Sequence, residues 1–385
     1  MRWRGIKTWL AGGMLLLAGL SGAFFRSPGR PDTLKMTPYL QAVGPDSICV
    51  LAEDDSDAPI TVEYGPTESY GRTAQTGTTT ATNVSPATYI HNLHLTGLEA
   101  HTLYHYRLFR EAPLSDDFVF TTASAPGTPF RFAWMADMRT GVDVHDQIAA
   151  RIKNESPLFS LYGGDLAADS SYATFKYEFF RPNQLALISG IPFFTAVGNH
   201  EGWSANTQAF LEAPASASGT QAYYSFDYGD LHVLVLNTNL DYSPDSAQYA
   251  FARSDLESAT RRWKVVISHS PAYCAGGHGE DAGMVRMTGD LFEPNRVHLV
   301  ISGHSHFYQH SLVRGIHHLV IGSAGAPLHT PGTADYVIKS AKDYNYAIGD
   351  VTPWSLQIVV YNHTGLILDQ IRLGQDVFLP LLVSK

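Results

Sequence analysis

The side chains that could do chemistry in this 385-residue chain lie in short polar signatures, each directly after a run of apolar residues. They are aspartate, asparagine and histidine, whose oxygen and nitrogen atoms are ligands that small metal cations prefer. In chain order the candidate ligands are Asp137, Asp165, Asn199, His269, His304 and His306. Because sites in α/β proteins form at the carboxyl ends of strands, the pattern predicts one metal centre at one edge of a sheet.

These ligands are sufficient for two cations, which Asp165 can bridge with its two carboxylate oxygens. The others divide into a pair for the first ion and a trio for the second: Asp137 with His306, and Asn199 with His269 and His304. Two ions about 3.5–4 Å apart clamp a substrate oxygen and lower the pKa of a bound water, so the pattern predicts hydrolysis. His200 is a candidate acid or hydrogen-bond donor toward the leaving group. The donor types suit iron, manganese and zinc alike, so the metal identity stays open.

Two kinds of element must position these residues. Residues 35–122 read as short alternating strands separated by Gly, Pro, Asp and Asn, which predicts a fibronectin-III-like sandwich. Tyr104 and Tyr106 follow a leucine-containing turn, as a tyrosine corner requires. Residues 130–375 alternate strands with helical stretches, which predicts an α/β domain with a large mixed sheet system. Pro182 is expected to break or bend one helix, and Gly229 or its neighbour Asp230 is expected to turn a hairpin.

The N-terminus and the overall charge bear on location and partners. Residues 1–25 combine a basic start with an apolar stretch and small residues near its end, which predicts a signal peptide and export. An uncleaved membrane anchor is the alternative, and membrane contact is expected only in that case. The formal net charge of -10 argues against nucleic-acid binding. An anionic substrate would need local positive charge, which bound metal ions can supply.

The ordered series of signatures resembles the calcineurin-like metallophosphoesterases. The residues that carry the resemblance are Asp137, Gly164-Asp165, Gly198-Asn199-His200-Glu201, His269 and Gly303-His304-Ser305-His306. The strand-rich segment ahead of them looks like the N-terminal domain of the purple acid phosphatase branch. The resemblance implies a phosphoesterase β-sandwich flanked by helices, an αββα arrangement, and hydrolysis of phosphate esters.

Two positions depart from the family patterns. Purple acid phosphatases carry a metal-binding tyrosine three residues after the bridging aspartate, where this chain has Ala168. The wider family carries a histidine two residues after the first aspartate, where this chain has Arg139. The resemblance therefore implies that the first ion lacks one ligand and that the purple charge-transfer colour is absent.

Three further side chains are candidates for the site. His145 lies at the start of a predicted helix, eight residues after Asp137, and is the proposed replacement ligand; a solvent-facing histidine is the alternative. Arg139 would pair with a ligand aspartate or contact phosphate. His278, in the glycine-flanked loop after His269, resembles the family's substrate-contacting histidine.

The leading functional hypothesis is an exported dinuclear phosphatase that acts on small phosphomonoesters. One alternative is a phosphodiesterase with the same metals and a wider groove. Another is a catalytically degenerate fold that serves as a binding or adhesion module. The missing first-site ligand favours the degenerate module, whereas the complete trio Asn199, His269 and His304 counts against it.

Overall fold

The computed structural model describes residues 34–374. The predicted signal peptide or anchor, residues 1–25, lies outside this range. In the part of the chain that is described, no helix combines the length and the apolar character needed to cross a bilayer.

The part of the described chain before residue 123 is all strand, as its alternating pattern predicts. Its strands are β1 (Tyr39–Gln41), β2 (Ser47–Asp54), β3 (Thr61–Gly65), β4 (Arg72–Gln75), β5 (Thr78–Ala81), β6 (Tyr89–Thr96), β7 (Leu103–Phe109) and β8 (Phe118–Thr121). The strands β1-β2-β6-β5 and β4-β3-β7-β8 are neighbours in that order. Apolar side chains from both sets, among them Val62, Leu93 and Tyr106, share one core. The Tyr104 hydroxyl accepts the Glu99 N–H at 3.0 Å, which is the backbone contact expected of a tyrosine corner.

The remaining described strands form the second part of the fold. They are β9 (Phe130–Met135), β10 (Phe159–Tyr162), β11 (Phe193–Thr195), β12 (Tyr224–Tyr228), β13 (Leu231–Val235), β14 (Trp263–Ser268), β15 (Leu299–Ser302), β16 (Tyr308–Val313), β17 (Ile316–Ile321), β18 (Val337–Ala341), β19 (Asn345–Val351), β20 (Ser355–Asn362) and β21 (Ile367–Gly374). The predicted hairpin is confirmed, because β12 and β13 pair antiparallel around Gly229 and Asp230.

Two large sheets position the candidate ligands. One has the order β21-β20-β19-β9-β10-β11-β1-β2-β6-β5, and the other has the order β12-β13-β14-β15-β17-β16-β18. Strands β9, β10 and β11 run parallel, as do β13, β14, β15 and β17. Trp134, Val265 and Ile301 from the two sheets pack in one apolar core. The first sheet also continues into the N-terminal strands through the parallel pairing of β11 with β1, which the sequence did not predict.

Helices cover the outer faces of the two sheets. They are α1 (Val142–Asn154), α2 (Tyr172–Thr174), α3 (Pro182–Ile188), α4 (Ala205–Phe210), α5 (Ala247–Ser258) and α6 (Ala282–Met287), with π-helical turns at Phe175–Phe179 and Thr288–Phe292. Ile148 and Leu187 pack in one outer core, and Leu256 and Met284 pack in the other. The αββα arrangement is therefore confirmed. Pro182 starts α3 after a break, because a proline has no N–H to continue the preceding turn.

Candidate metal centre

The turns after parallel strands of the two sheets meet at one edge. Asp137 follows β9 and Asp165 follows β10 in one sheet, while His269 follows β14 and His304 follows β15 in the other. The Asp137 Oδ2 accepts the His304 N–H at 2.8 Å. The His269 Nδ1 lies 2.8 Å from the carbonyl oxygen of Gly163. These contacts cross from one sheet to the other and bring the predicted side chains into one cluster.

The backbone at three of these positions is strained. Asp137, Asp165 and His304 have φ angles of 56°, 52° and 67°, in the left-handed region that non-glycine residues rarely adopt. Each such residue costs about 1–2 kcal/mol and is typical of functional sites. A side chain at Gly164 would place its Cβ 2.5 Å from the backbone nitrogen of Gly198. The turns after β10 and β11 therefore pack too closely for any larger residue at position 164.

The second cation position is built around His269. Its Nε2 lies 2.9 Å from Asn199 Oδ1, 3.1 Å from His304 Nδ1 and 3.3 Å from Asp165 Oδ1. Neighbouring ligands of an ion bound at about 2.1 Å are separated by about 3 Å. Because His269 Nδ1 donates to the Gly163 carbonyl, Nε2 carries a lone pair that faces the other three atoms. This donor set fits a divalent or trivalent cation.

The first cation position is formed by Asp137, Asp165 and His306, each of which offers a ligand atom within 4.8 Å of the others. His306 Nδ1 donates to the Pro327 carbonyl at 2.8 Å, so the lone pair of Nε2 faces Asp137 Oδ1 at 3.4 Å. That Oδ1 atom is buried and has no hydrogen-bond partner. An orphaned carboxylate oxygen beside an imidazole lone pair fits a cation as well.

Arg139 lies in this first position. Its Nε donates to Asp165 Oδ2 at 3.1 Å, and its Nη2 lies 3.4 Å from His306 Nε2. The side chain is 14% exposed, so this ion pair is little screened by solvent. The salt bridge with a candidate ligand aspartate is one of the two roles expected of Arg139. A guanidinium therefore contacts two of the atoms that would bind a cation at this position.

Burial and neighbouring charges set the protonation of the cluster. Burial raises the pKa of Asp137 well above its usual range. Burial also acts to raise the pKa of Asp165, but the neighbouring His269, His200 and Arg139 side chains and the His200 N–H lower it overall. Burial lowers the pKa of His304 to about 3 and that of His306 to about 4. Both imidazoles are thus neutral at pH 7 and keep lone pairs available for a cation.

Glu201 ties two ligand-bearing turns together. Its Oε1 accepts the Asp165 N–H at 3.1 Å and the Gly198 N–H at 2.7 Å. Burial and the nearby Asp165 charge raise the pKa of Glu201 to about 8. The side chain thus fixes the backbone on either side of the cluster, which agrees with the supporting role that metal-site neighbours play.

The two candidate catalytic histidines lie on the open side of the cluster. His200 donates from Nδ1 to the Ala168 carbonyl at 2.8 Å, and its Nε2 lies 3.8 Å from Asp165 Oδ2. The exposed His278 ring stacks on His304 with 4.2 Å between ring centroids. Both rings therefore border the ligand atoms and remain accessible to a substrate.

The structure places His145 outside the cluster and contradicts its predicted ligand role. His145 is fully buried, with Nδ1 2.9 Å from the Glu178 carbonyl and Nε2 3.1 Å from Gln184 Oε1. Both ring nitrogens therefore face groups outside the cluster, and neither lies among the candidate ligand atoms. Tyr172, the tyrosine nearest to Ala168 in the sequence, donates to Glu53 Oε1 at 2.6 Å instead.

One histidine of the cluster was missed by sequence reasoning. The His329 ring stacks on His306 with 4.0 Å between centroids, and its centroid lies 4.9 Å from that of His278. His278, His306 and His329 together offer ligand atoms within 4.8 Å of one another. The available signal was weak, because His329 lies in the loop after β17, well beyond the end of that strand.

Comparison with protein families assigns both parts of the chain. Residues 130–308 match the calcineurin-like phosphoesterase family, and residues 38–122 match the purple acid phosphatase N-terminal domain. The αββα arrangement thus agrees with the first match, and the all-β segment ahead of it agrees with the second.

Individual relatives point the same way. The chain is 28% identical over 263 residues to purple acid phosphatase 23 of Arabidopsis thaliana, covering 57% of each protein. It is 28% identical over 308 residues to purple acid phosphatase 21 of the same plant, covering 74% of this chain and 68% of that relative. The chain thus spans only about half to two thirds of the length of these relatives. A purple acid phosphatase from yellow lupin (Lupinus luteus) seeds has a similar fold, with a TM-score of 0.78, 20% identity, and 91% of this chain and 76% of the lupin chain covered.

Proposed function

This chain carries a calcineurin-like phosphoesterase domain behind a purple acid phosphatase N-terminal domain, and from that premise we propose that it is an exported, metal-dependent phosphatase. Its proposed substrates are small phosphomonoesters. The proposed domain limits are residues 35–122 and 130–375. Two cations, of iron, manganese or zinc, are proposed to bind in the cluster.

The observation that carries the proposal is the convergence of four ligand side chains on one point. Asn199, His304 and Asp165 each place a donor atom within 3.3 Å of His269 Nε2. Such separations match ligands of a single ion, and these side chains come from four separate turns. A binding module does not require this set of metal ligands, whereas ester hydrolysis by a metal-activated water does require it.

The chain's own residues would divide the work of hydrolysis. Cations held at the two positions would supply Lewis acidity, which would lower the pKa of a water and offset phosphoryl charge. His200 donates from Nδ1 to the Ala168 carbonyl, so its Nε2 becomes a proton donor in the imidazolium form, as a general acid requires. His278, stacked on His304 and exposed, is proposed to contact the phosphoryl group. Arg139 adds a fixed positive charge beside Asp165.

The central test replaces ligands of the second position. Asn199→Ala and His304→Ala should each abolish hydrolysis of an aryl phosphate and lower the metal content, while the melting temperature stays close to that of the wild type. His94→Ala is the matched control, because His94 is exposed on β6 in the N-terminal domain. Full activity in both site variants would remove the second position from the proposal.

Substrate class needs a separate measurement. The rate on an aryl phosphate should exceed the rate on the corresponding bis-aryl phosphate for a monoesterase. The reverse order would favour the phosphodiesterase alternative. Metal analysis of the purified protein should give about two ions per chain. If metal-loaded protein hydrolyses neither ester, the degenerate binding module is favoured. Arg139 and Ala168 are the reason for this alternative, because they stand where the families carry metal ligands.

The export proposal concerns residues 1–25. Their basic start and apolar stretch are the features of a signal peptide. Expression of the full chain followed by N-terminal sequencing of the exported protein should give a start after residue 20. Retention of Met1 in a membrane fraction would favour the anchor instead.

A further inference from the structure

His329 is held by a reciprocal contact with His306. The His329 backbone N–H donates to the His306 carbonyl at 2.9 Å, and the His306 backbone N–H donates to His329 Nδ1 at 3.2 Å. The two rings lie nearly parallel, at 20° and with 4.0 Å between centroids. The orientation of the His329 ring is therefore fixed by backbone contacts before any ligand binds.

These contacts also assign opposite tautomers to the two stacked rings. His306 donates from Nδ1 to the Pro327 carbonyl, so its Nε2 carries a lone pair suited to a cation. His329 accepts at Nδ1 from a backbone N–H, so in the neutral ring its Nε2 carries the proton. The His306 ring therefore serves a cation, and the His329 ring presents an N–H donor suited to an anion.

The loop that carries His329 is attached to the loop that carries His278. Gly276 and Pro331 form a β-bridge, and the Gly332 N–H donates to the Ala275 carbonyl. An added Cβ at Gly277 would lie 3.1 Å from His329 Nδ1, so the two loops are in close contact. His278 and His329 thus lie on one wall of the cluster, His278 against His304 of the second position and His329 against His306 of the first.

We propose that His329 is a substrate-binding residue whose Nε2–H donates to a phosphoryl oxygen, paired with His278 on this wall. The inference rests on the proposed function and extends it to a residue outside the signatures that carry the family resemblance. A third cation held by His278, His306 and His329 is the competing use of the same rings. The His306 and His329 rings are stacked nearly parallel, so the lone pairs in their ring planes point in parallel directions and do not converge on one ion. This geometry favours binding of a phosphoryl oxygen by His329 over a third cation.

Two substitutions separate the two nitrogens of His329. His329→Asn keeps an acceptor near the position of Nδ1 and removes the outer donor, whereas His329→Gln reaches the position of Nε2 with an N–H. With metal-loaded protein, the Asn variant should bind inorganic phosphate roughly 10- to 100-fold more weakly by calorimetry, as expected for loss of a hydrogen bond to a charged group. The KM for an aryl phosphate should rise correspondingly. The Gln variant should bind phosphate with an affinity within a few-fold of that of the wild type. The control His94→Gln should fall in the same range.

The outcomes distinguish this inference from the proposed function. Phosphate binding by the Asn variant equal to that of the wild type overturns the role of His329, and so does the loss of one metal ion from that variant. If the wild type neither hydrolyses esters nor binds phosphate, the proposed function fails and the phosphate subsite fails with it. Should the Asn variant not fold, the ¹⁵N resonance of His329 Nε2 in the zinc-loaded wild type gives the answer. It should shift on phosphate addition, and an unchanged resonance overturns the inference.

Discussion

At the scale of single residues, Arg139 would compete with the proposed first cation for the same atoms. The guanidinium lies 3.1 Å from Asp165 Oδ2 and 3.4 Å from His306 Nε2, both of which are candidate ligands. Asp137 Oδ1 receives no donor from it and stays without a partner. The first position thus keeps an unsatisfied carboxylate oxygen for a cation while a neighbouring positive charge opposes that cation.

Replacing Arg139 with glutamine should therefore strengthen binding of the first ion. Unit charges about 4 Å apart in a partly buried site interact with several kcal/mol, so removing the repulsion should lower the Kd of the weaker metal equivalent at least about tenfold. Metal titration of the metal-free protein gives the two constants. Arg131→Gln is a matched control, because Arg131 forms ion pairs at the other end of β9 with Asp350 and Glu155. If the Kd of the weaker metal equivalent were the same in the wild type and in Arg139→Gln, the guanidinium would not oppose the ion.

At the scale of elements, the strand ends were the predictable part. Apolar runs followed at once by Asp137, Asp165 or His269 leave little freedom in where the polar side chain goes, because parallel strands share an edge. The ligand role predicted for His145 was wrong because a position on the first turn of α1 does not determine the direction of the ring. Tertiary contacts with Glu178 and Gln184 determine that direction. His329 could not be predicted because its place depends on hydrogen bonds between loops that are distant in the sequence.

The hairpin β12–β13 is joined to α5 by His232, which gives stability a pH dependence. His232 lies 2.8 Å from Asp227 on β12 and 2.8 Å from Asp255 on α5. Burial alone would lower its pKa, but the two carboxylates raise it to about 9. Because the unfolded value is about 6.5, this contribution is complete below about pH 6.5 and is lost as the pH rises through about 9.

The free energy of unfolding should therefore fall by about 2 kcal/mol between pH 6.5 and pH 9.5 through this group, after allowance for the partly exposed Asp227. Urea denaturation at the two pH values measures it. His232→Gln should be less stable than the wild type at pH 6.5. Its free energy of unfolding should also change much less between the two pH values. The same alkaline loss in both proteins would assign the dependence to other groups.

At the scale of the whole molecule, one sheet runs through both segments matched by different families. Strand β1 pairs with β2 on one side and with β11 on the other, where Gln41 is opposite Phe193. The Tyr39 hydroxyl donates to the Phe210 carbonyl at 3.0 Å, and the Tyr106 hydroxyl donates to the Ser189 carbonyl at 2.7 Å. The N-terminal strands thus complete the sheet whose other strands carry Asp137 and Asp165. Sequence patterns assign each strand to its own segment, so they could not show this pairing.

This continuity predicts that residues 34–374 unfold in one cooperative step. Removing the N-terminal strands would leave β11 with an unpaired edge and uncover apolar residues around Phe193, and the largest core contains residues of both segments. Calorimetry should show a single transition whose calorimetric and van't Hoff enthalpies agree. Tyr106→Phe removes one buried hydrogen bond between the segments and should lower the free energy of unfolding by about 1 kcal/mol without dividing the transition. Two resolved transitions in the wild type, or a Tyr106→Phe effect confined to one of them, would show that the shared sheet does not couple the two segments.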